Sequence, residues 1–254
     1  ASRRLQGRIT AVRSALGIAF AGLAIAAGIA FAGLEFSRAY VTARTVDRVV
    51  TVKGLAERDV TADMALWPLK FTTTEDDLGK ALAKVALDEK TVVQFLTDGG
   101  IAEDGVSVQQ FSVIDQLAQQ YRSGPIQSRY IVSQTLLVRS QTVAKVEALA
   151  QQVGRLVKAG VILTTDGGFQ AGPIYLYTKL NEIKPGMLAE ALASAREGAA
   201  EFARDAGARV GGIRRARQGV FQILPRDQAP GLFEPGQINK TVRVVSTIDY
   251  ALID

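Results

Sequence analysis

Four arginines within nine residues, Arg209, Arg214, Arg215 and Arg217, make the only dense basic cluster of this chain. Such a cluster could hold an anion or an acidic partner. Asp76-Asp77, and Glu103-Asp104 with Asp98 nearby, are the residue types of paired-carboxylate acid–base work. The chain has no histidine and no cysteine, so it lacks the commonest general base and any thiol nucleophile. Zinc, haem and iron–sulfur sites lose their usual ligands by the same two absences. A Ser/Lys hydrolase stays compatible with the composition, because neither role requires histidine.

Each of these groups also has a plainer reading. Asp76-Asp77 stands where a helix should begin, which suits capping carboxylates. Asp98 and Glu103-Asp104 belong to the turn that follows that helix. Asp166-Gly167-Gly168 lacks the spacing of a phosphate-cradling loop and reads as a hairpin turn. The arginine cluster reads as a solvated strand face or a subunit contact. Trp67, Tyr175 and Tyr177 lie in strand-like runs and read as core or interface. The sequence therefore predicts no catalytic, cofactor-binding or metal-binding residue.

The formal net charge of +5 suggests a polyanion partner, but its distribution argues otherwise. Six of the 30 basic residues, Arg3, Arg4, Arg8, Arg13, Arg38 and Arg44, lie in residues 1–44 against the single acid Glu35. Residues 45–254 keep the other 24 basic residues and 24 of the 25 acids, a net of zero. No nucleic-acid footprint remains. The excess surrounds "ALGIAFAGLAIAAGIAFAGL", residues 15–34, twenty residues without charge or proline. As a helix they would span about 30 Å, the thickness of a bilayer's hydrocarbon core, and they outrun the roughly 7–15 apolar residues of a cleaved signal. The expectation is a retained transmembrane helix with a basic cytoplasmic tail at 1–14, a linker at 35–47 and a domain at 48–254 beyond the membrane. Gly17, Ala21, Ala24, Gly28 and Ala32 make a stripe of small residues that would let neighbouring spans pack closely.

Strands that come in pairs between helices predict an α+β domain with mainly antiparallel sheet. Strands are expected at 49–55 and 60–71, parted by a charged turn at Glu57-Arg58-Asp59, with Pro68 marking an edge or a bulge. Thr74 to Asp77 resembles a capping box ahead of a helix whose face is Leu78, Leu82, Val85, Val92 and Leu96. Strands at about 106–118 and 128–139 follow, joined by the turn-prone "RSGP" at 122–125. A second helix shows Val143, Val146, Leu149, Val153 and Leu156. A third shows Leu188, Leu192, Ala195, Ala199 and Phe202, with Gly207 as its stop. A strand at 219–223 precedes a proline-rich loop. The closing strand sets Val242, Val244, Ile248, Tyr250 and Leu252 on one face.

Four stretches carry a family likeness: "VTVKGLAERDVTAD" (50–63), "LTDGGIAEDGVSVQQFSV" (96–113), the tyrosine-led strand and helix from Tyr130 to Val161, and the alanine-rich helix with its glycine turn from Ala191 to Gly219. Over roughly residues 48–223 the chain resembles the SIMPL-domain family of secreted or membrane-anchored bacterial envelope proteins. Members are linked to oxidative-stress defence and include periplasmic immunogens. The lead-in "YTKLNEIKPGM" (177–187) and the loop 225–239 depart from the family's pattern. The resemblance implies a SIMPL-type α+β domain with three long helices, no established catalytic motif, and large ring- or barrel-shaped homo-oligomers. The expected protein is a single-pass inner-membrane anchor carrying a periplasmic domain that self-assembles into an envelope scaffold or ring, supporting the envelope under oxidative stress. Its expected partners are membrane lipid, copies of itself and an envelope protein. The alternatives are an adaptor for a membrane or envelope partner, and an anion-binding or hydrolytic protein using the arginine cluster.

Overall fold

A strand shows one face to each side of its sheet, so β-branched alternation fixes which residues go inward before any pairing is known. The computed structural model describes residue 22 and residues 25–40, 48–118, 127–164 and 172–253. Residues 25–40 form helix α1. Then come β1 (Val49–Thr61), β2 (Met64–Glu75), α2 (Leu78–Asp98), β3 (Val106–Asp115), β4 (Tyr130–Ser140), α3 (Val143–Ala150), α4 (Gly154–Lys158), β5 (Ile174–Leu176), α5 (Leu180–Asp205), β6 (Arg209–Gln218), β7 (Gln222–Pro225) and β8 (Asn239–Ile253). One four-stranded sheet is ordered β3-β4-β2-β5; in the other, β8 lies between β1 and β6, and β7 also pairs with β8. The class is α+β with antiparallel sheets, as expected. The "RSGP" turn lies outside the described residues.

The chain divides into two compact units, Gly54–Ala195 with Gln218–Ser246, and Ala1–Lys53 with Arg196–Arg217 and Thr247–Asp254. In the first, Ala65, Trp67, Leu69, Phe71 and Thr73 alternate along β2 into the core. The last four share that face with their register partners on β4, Val138, Leu136, Gln134 and Val132. Helices α2 and α3 cover it with Ala81, Val85, Val92, Leu96, Val146 and Leu149. A second cluster packs Met187 and Ala191 of α5 on Ala56 of β1 and on Val242 and Val244 of β8. Among the described residues no buried side-chain polar atom lacks a partner. In the other unit β8 ends in buried Ile248 and Tyr250, α5 ends in buried Ala199 and Ala203, and Leu252 N–H donates to Arg48 O at 2.8 Å.

Several expectations are corrected here. Glu57-Arg58-Asp59 is no turn: β1 runs through it, because Glu57 meets Arg243 at 3.3 Å and Asp59 accepts from Thr241 at 2.7 Å across the sheet. Thr74 belongs to β2, and the helix cap is Asp77 alone, whose Oδ1 accepts from Lys80 N–H at 2.9 Å. The second helix is broken into α3 and α4, leaving two long helices, α2 and α5. The buried stripe of α5 is Met187, Ala191, Ala195, Ala199 and Ala203, while Leu192 and Phe202 face outward. Size decides that face. In β1, a Cβ added at Gly54 would overlap Ala191 O and lie 2.8 Å from Ala195 Cβ, so only alanines fit so close an approach.

The segments on either side of Asp166-Gly167-Gly168 do not make a hairpin with each other. Leu163 bridges Phe71 and β5 pairs with Met64 to Leu66, both antiparallel to β2, so the two segments run in line along one edge. The glycine turn itself is outside the described residues. Pro68 fits the gap between them. Thr72 N–H donates to Ile162 O and Lys70 O accepts from Thr164 N–H, so by the strand's two-residue repeat Pro68 nitrogen faces the same side, where β2 has no neighbour among the described residues.

Of the expected transmembrane helix at 15–34, residues 22 and 25–34 are helical and the rest lie outside the described residues. Among the described residues no helix is long and apolar enough to cross a membrane. Gly17, Ala21 and Ala24 of the small-residue stripe are not among them; Gly28 and Ala32 are, and a Cβ at Gly28 would meet nothing within 4 Å.

Candidate interaction edge

Three of the carboxylates singled out by the sequence, Asp76, Asp77 and Asp98, are held by backbone or side-chain donors. Asp77 caps α2, and Asp76 Oδ1 accepts from Arg129 N–H at 3.0 Å. Asp98 accepts from Gln94 at 2.6 Å. Asp98 lines one open pocket with Lys90 and Arg155, and Asp104 lines another with Ser107, Arg139 and Thr142. Trp67 and Tyr175 are core residues, and Tyr177 packs against the second cluster. Burial, then Glu147, raises the Tyr175 phenol above its ordinary range; burial, then Glu182 and Asp63, raises that of Tyr177. Among the described residues no group of three or more acids is placed to hold a metal ion.

The arginine cluster is brought together on one strand. Arg209, Arg214, Arg215 and Arg217 all lie exposed on β6, a strand that the sequence did not delimit. Arg215 Nε stands 4.0 Å from Asp249 Oδ2 on β8. β6 ends its sheet path, so one of its sides has no strand beside it among the described residues. The cluster is thus a cationic sheet edge rather than a closed pocket.

The sequence missed a second edge. β3 ends the other sheet and, among the described residues, pairs only with β4. From Val106 to Ile114 it carries no charge and no proline. Val106, Val108, Phe111 and Val113 lie opposite Val138, Leu136, Gln134 and Val132, on the face that α2 and α3 cover over β2 and β4. On β3 that cover is lost: Val108 is 54% exposed, Phe111 50% and Val113 43%. Ile114 and Leu117 add apolar surface at 38% and 52%.

Natural sheets blunt such edges with lysine, proline, bulges or short length. β3 has one of these devices, a register shift between Val108 and Gln110, after which Gln110 to Asp115 pair regularly with β4. At its end Arg129 clamps Asp115 through three hydrogen bonds of 2.9–3.3 Å. The hydrogen bonds from Arg129 hold the Asp115 carboxyl below its ordinary range. Backbone groups in a row plus half-exposed apolar side chains can bind another strand. They supply no acid, base or nucleophile for a reaction.

No curated protein matches the chain. The model of one family, SIMPL (protein of unknown function, DUF541), matches residues 50–248. That stretch reaches from the start of β1 well into β8 and takes in both sheet edges and every helix from α2 onward. The chain therefore belongs to the SIMPL (DUF541) family.

Proposed function

We propose that this protein is a membrane-anchored, non-catalytic subunit that assembles with copies of itself into a scaffold or ring of the bacterial envelope. The observation that carries the reading is β3: a ten-residue sheet edge, free of charge and proline up to Asp115, whose apolar side chains are left half exposed. An edge of this kind is a liability in a monomer and a contact in an assembly. The anchor is supported by the apolar run 15–34 and by α1, where Ile25, Ile29, Phe31, Leu34 and Phe36 are all exposed. Arginines ahead of that run favour a cytoplasmic tail and a periplasmic domain. A role under oxidative stress is what the family likeness adds.

The test is the particle mass of the full chain in mild detergent, and of a chain lacking residues 1–44 in solution. Both are expected to exceed the monomer several-fold at micromolar concentration. A monomeric truncation beside an oligomeric full chain would move assembly to the membrane span. Two monomers would end the reading.

A further inference from the structure

Building on the self-assembly reading, we infer that the contact is head to tail: β3 of one copy adds antiparallel to β6 of the next. Each is a ten-residue strand at the end of its sheet. Their charges complement one another. Residues 103–118 hold three acids, Glu103, Asp104 and Asp115, and no base; β6 holds four arginines and no acid. Asp115 is already paired with Arg129, so the attraction rests on Glu103 and Asp104 at the start of β3. An antiparallel alignment sets them against the end of β6, where Arg214 and Arg217 make no hydrogen bond or ion pair among the described residues. Ile213, 52% exposed in the middle of β6, then meets the apolar run around Phe111.

The other edges fit less well. β5 has three residues, β7 has four and ends in Pro225, and β1 mixes Lys53, Glu57, Arg58 and Asp59 along its length. Pairing β3 with its own copy would offer Glu103 and Asp104 only Arg129, which Asp115 holds. Pairing β6 with itself would set arginines against arginines. A heterologous contact uses different surfaces on the two partners, so every copy that joins leaves one β3 and one β6 open. Growth stops only when a ring closes.

The experiment uses full-length protein in mild detergent. One variant blocks β3 (Phe111→Lys with Val113→Lys) and another blocks β6 (Arg214→Glu with Arg217→Glu). All four positions are exposed, and far-UV circular dichroism and thermal unfolding should match the parent. Each variant alone is expected to run as a monomer, and an equal mixture as a dimer that grows no further, since one competent edge remains on each side. Adding Glu103→Arg and Asp104→Arg to the β6 variant should restore the large particle. A fold-neutral check exploits the cysteine-free sequence. Ser112→Cys and Ile213→Cys together should give a ladder of multimers with a short bis-maleimide, and neither alone should. Dimers of the β6-blocked variant by itself would overturn the inference in favour of β3 self-pairing. Both variants assembling like the parent would overturn it while leaving self-assembly standing, and a parent that is monomeric would remove the reading beneath it.

Discussion

Lys240 is wholly buried on β8, where its ammonium pairs with Glu234 and donates to Glu234 O at 2.7 Å. A buried charge that keeps its partner costs little, whereas one that loses its partner is expensive. Glu234→Ala is therefore expected to lower stability by about 3 kcal/mol, and Lys240→Met to leave it within about 1 kcal/mol of the parent. Denaturant titration of both variants measures the difference, and equal losses would contradict it. Sequence reading placed Val242 and Val244 correctly on the inner face of β8 but left out Lys240, two residues earlier on the same face, because a lysine reads as solvated unless its partner is seen. Asp115 offers a pH test. Its folded-state pKa lies below the ordinary 3.8, so its contribution is complete above that value and is lost as pH falls through the folded one. Arg129→Gln should move the Asp115 titration, followed by carboxyl NMR, back up toward 3.8. An unmoved titration would show that Arg129 is not the cause.

Elements explain why one helix lies where it does. The alanine stripe of α5 and Gly54 of β1 form a near-contact that leaves no room for a side chain. Gly54→Val should cost about 3 kcal/mol or prevent folding, the upper range for overpacking. The control Gly198→Ala, on α5 where a Cβ meets nothing within 4 Å, should be neutral or slightly stabilising. Thermal unfolding of the pair is the measurement. Hydrophobic periodicity found α5 and its stop at Gly207, yet it assigned Leu192 and Phe202 inward, since pattern reading ranks leucine and phenylalanine above alanine. Close packing reverses that rank. Strand existence was equally legible for β2, β3, β4 and β8, because alternation is local. Which strand ends a sheet was not, because that depends on pairing between distant segments. So the arginines of β6 were visible as a cluster while the exposed edge of β3 was visible only as a strand.

At the scale of the whole molecule, the basic tail ahead of the apolar run predicts that protease added to spheroplasts will digest residues 45–254 and spare a small membrane-held stub. Full protection of the domain would reverse the orientation. The position of β8 has a further consequence, one of timing. This strand follows β6 in the chain yet lies between β6 and β1, and the Thr51–Asp249 hydrogen bond joins residues 198 apart. At about 5–20 residues per second, β1 waits roughly 10–40 s after its own synthesis for the strand that pairs with it. Until then β6 has no backing strand either, so it cannot present an ordered edge to a neighbour. On the proposed β3–β6 contact, nascent chains on one messenger would not join through β6 while they are still being made, and each copy would finish its own sheet before recruiting the next.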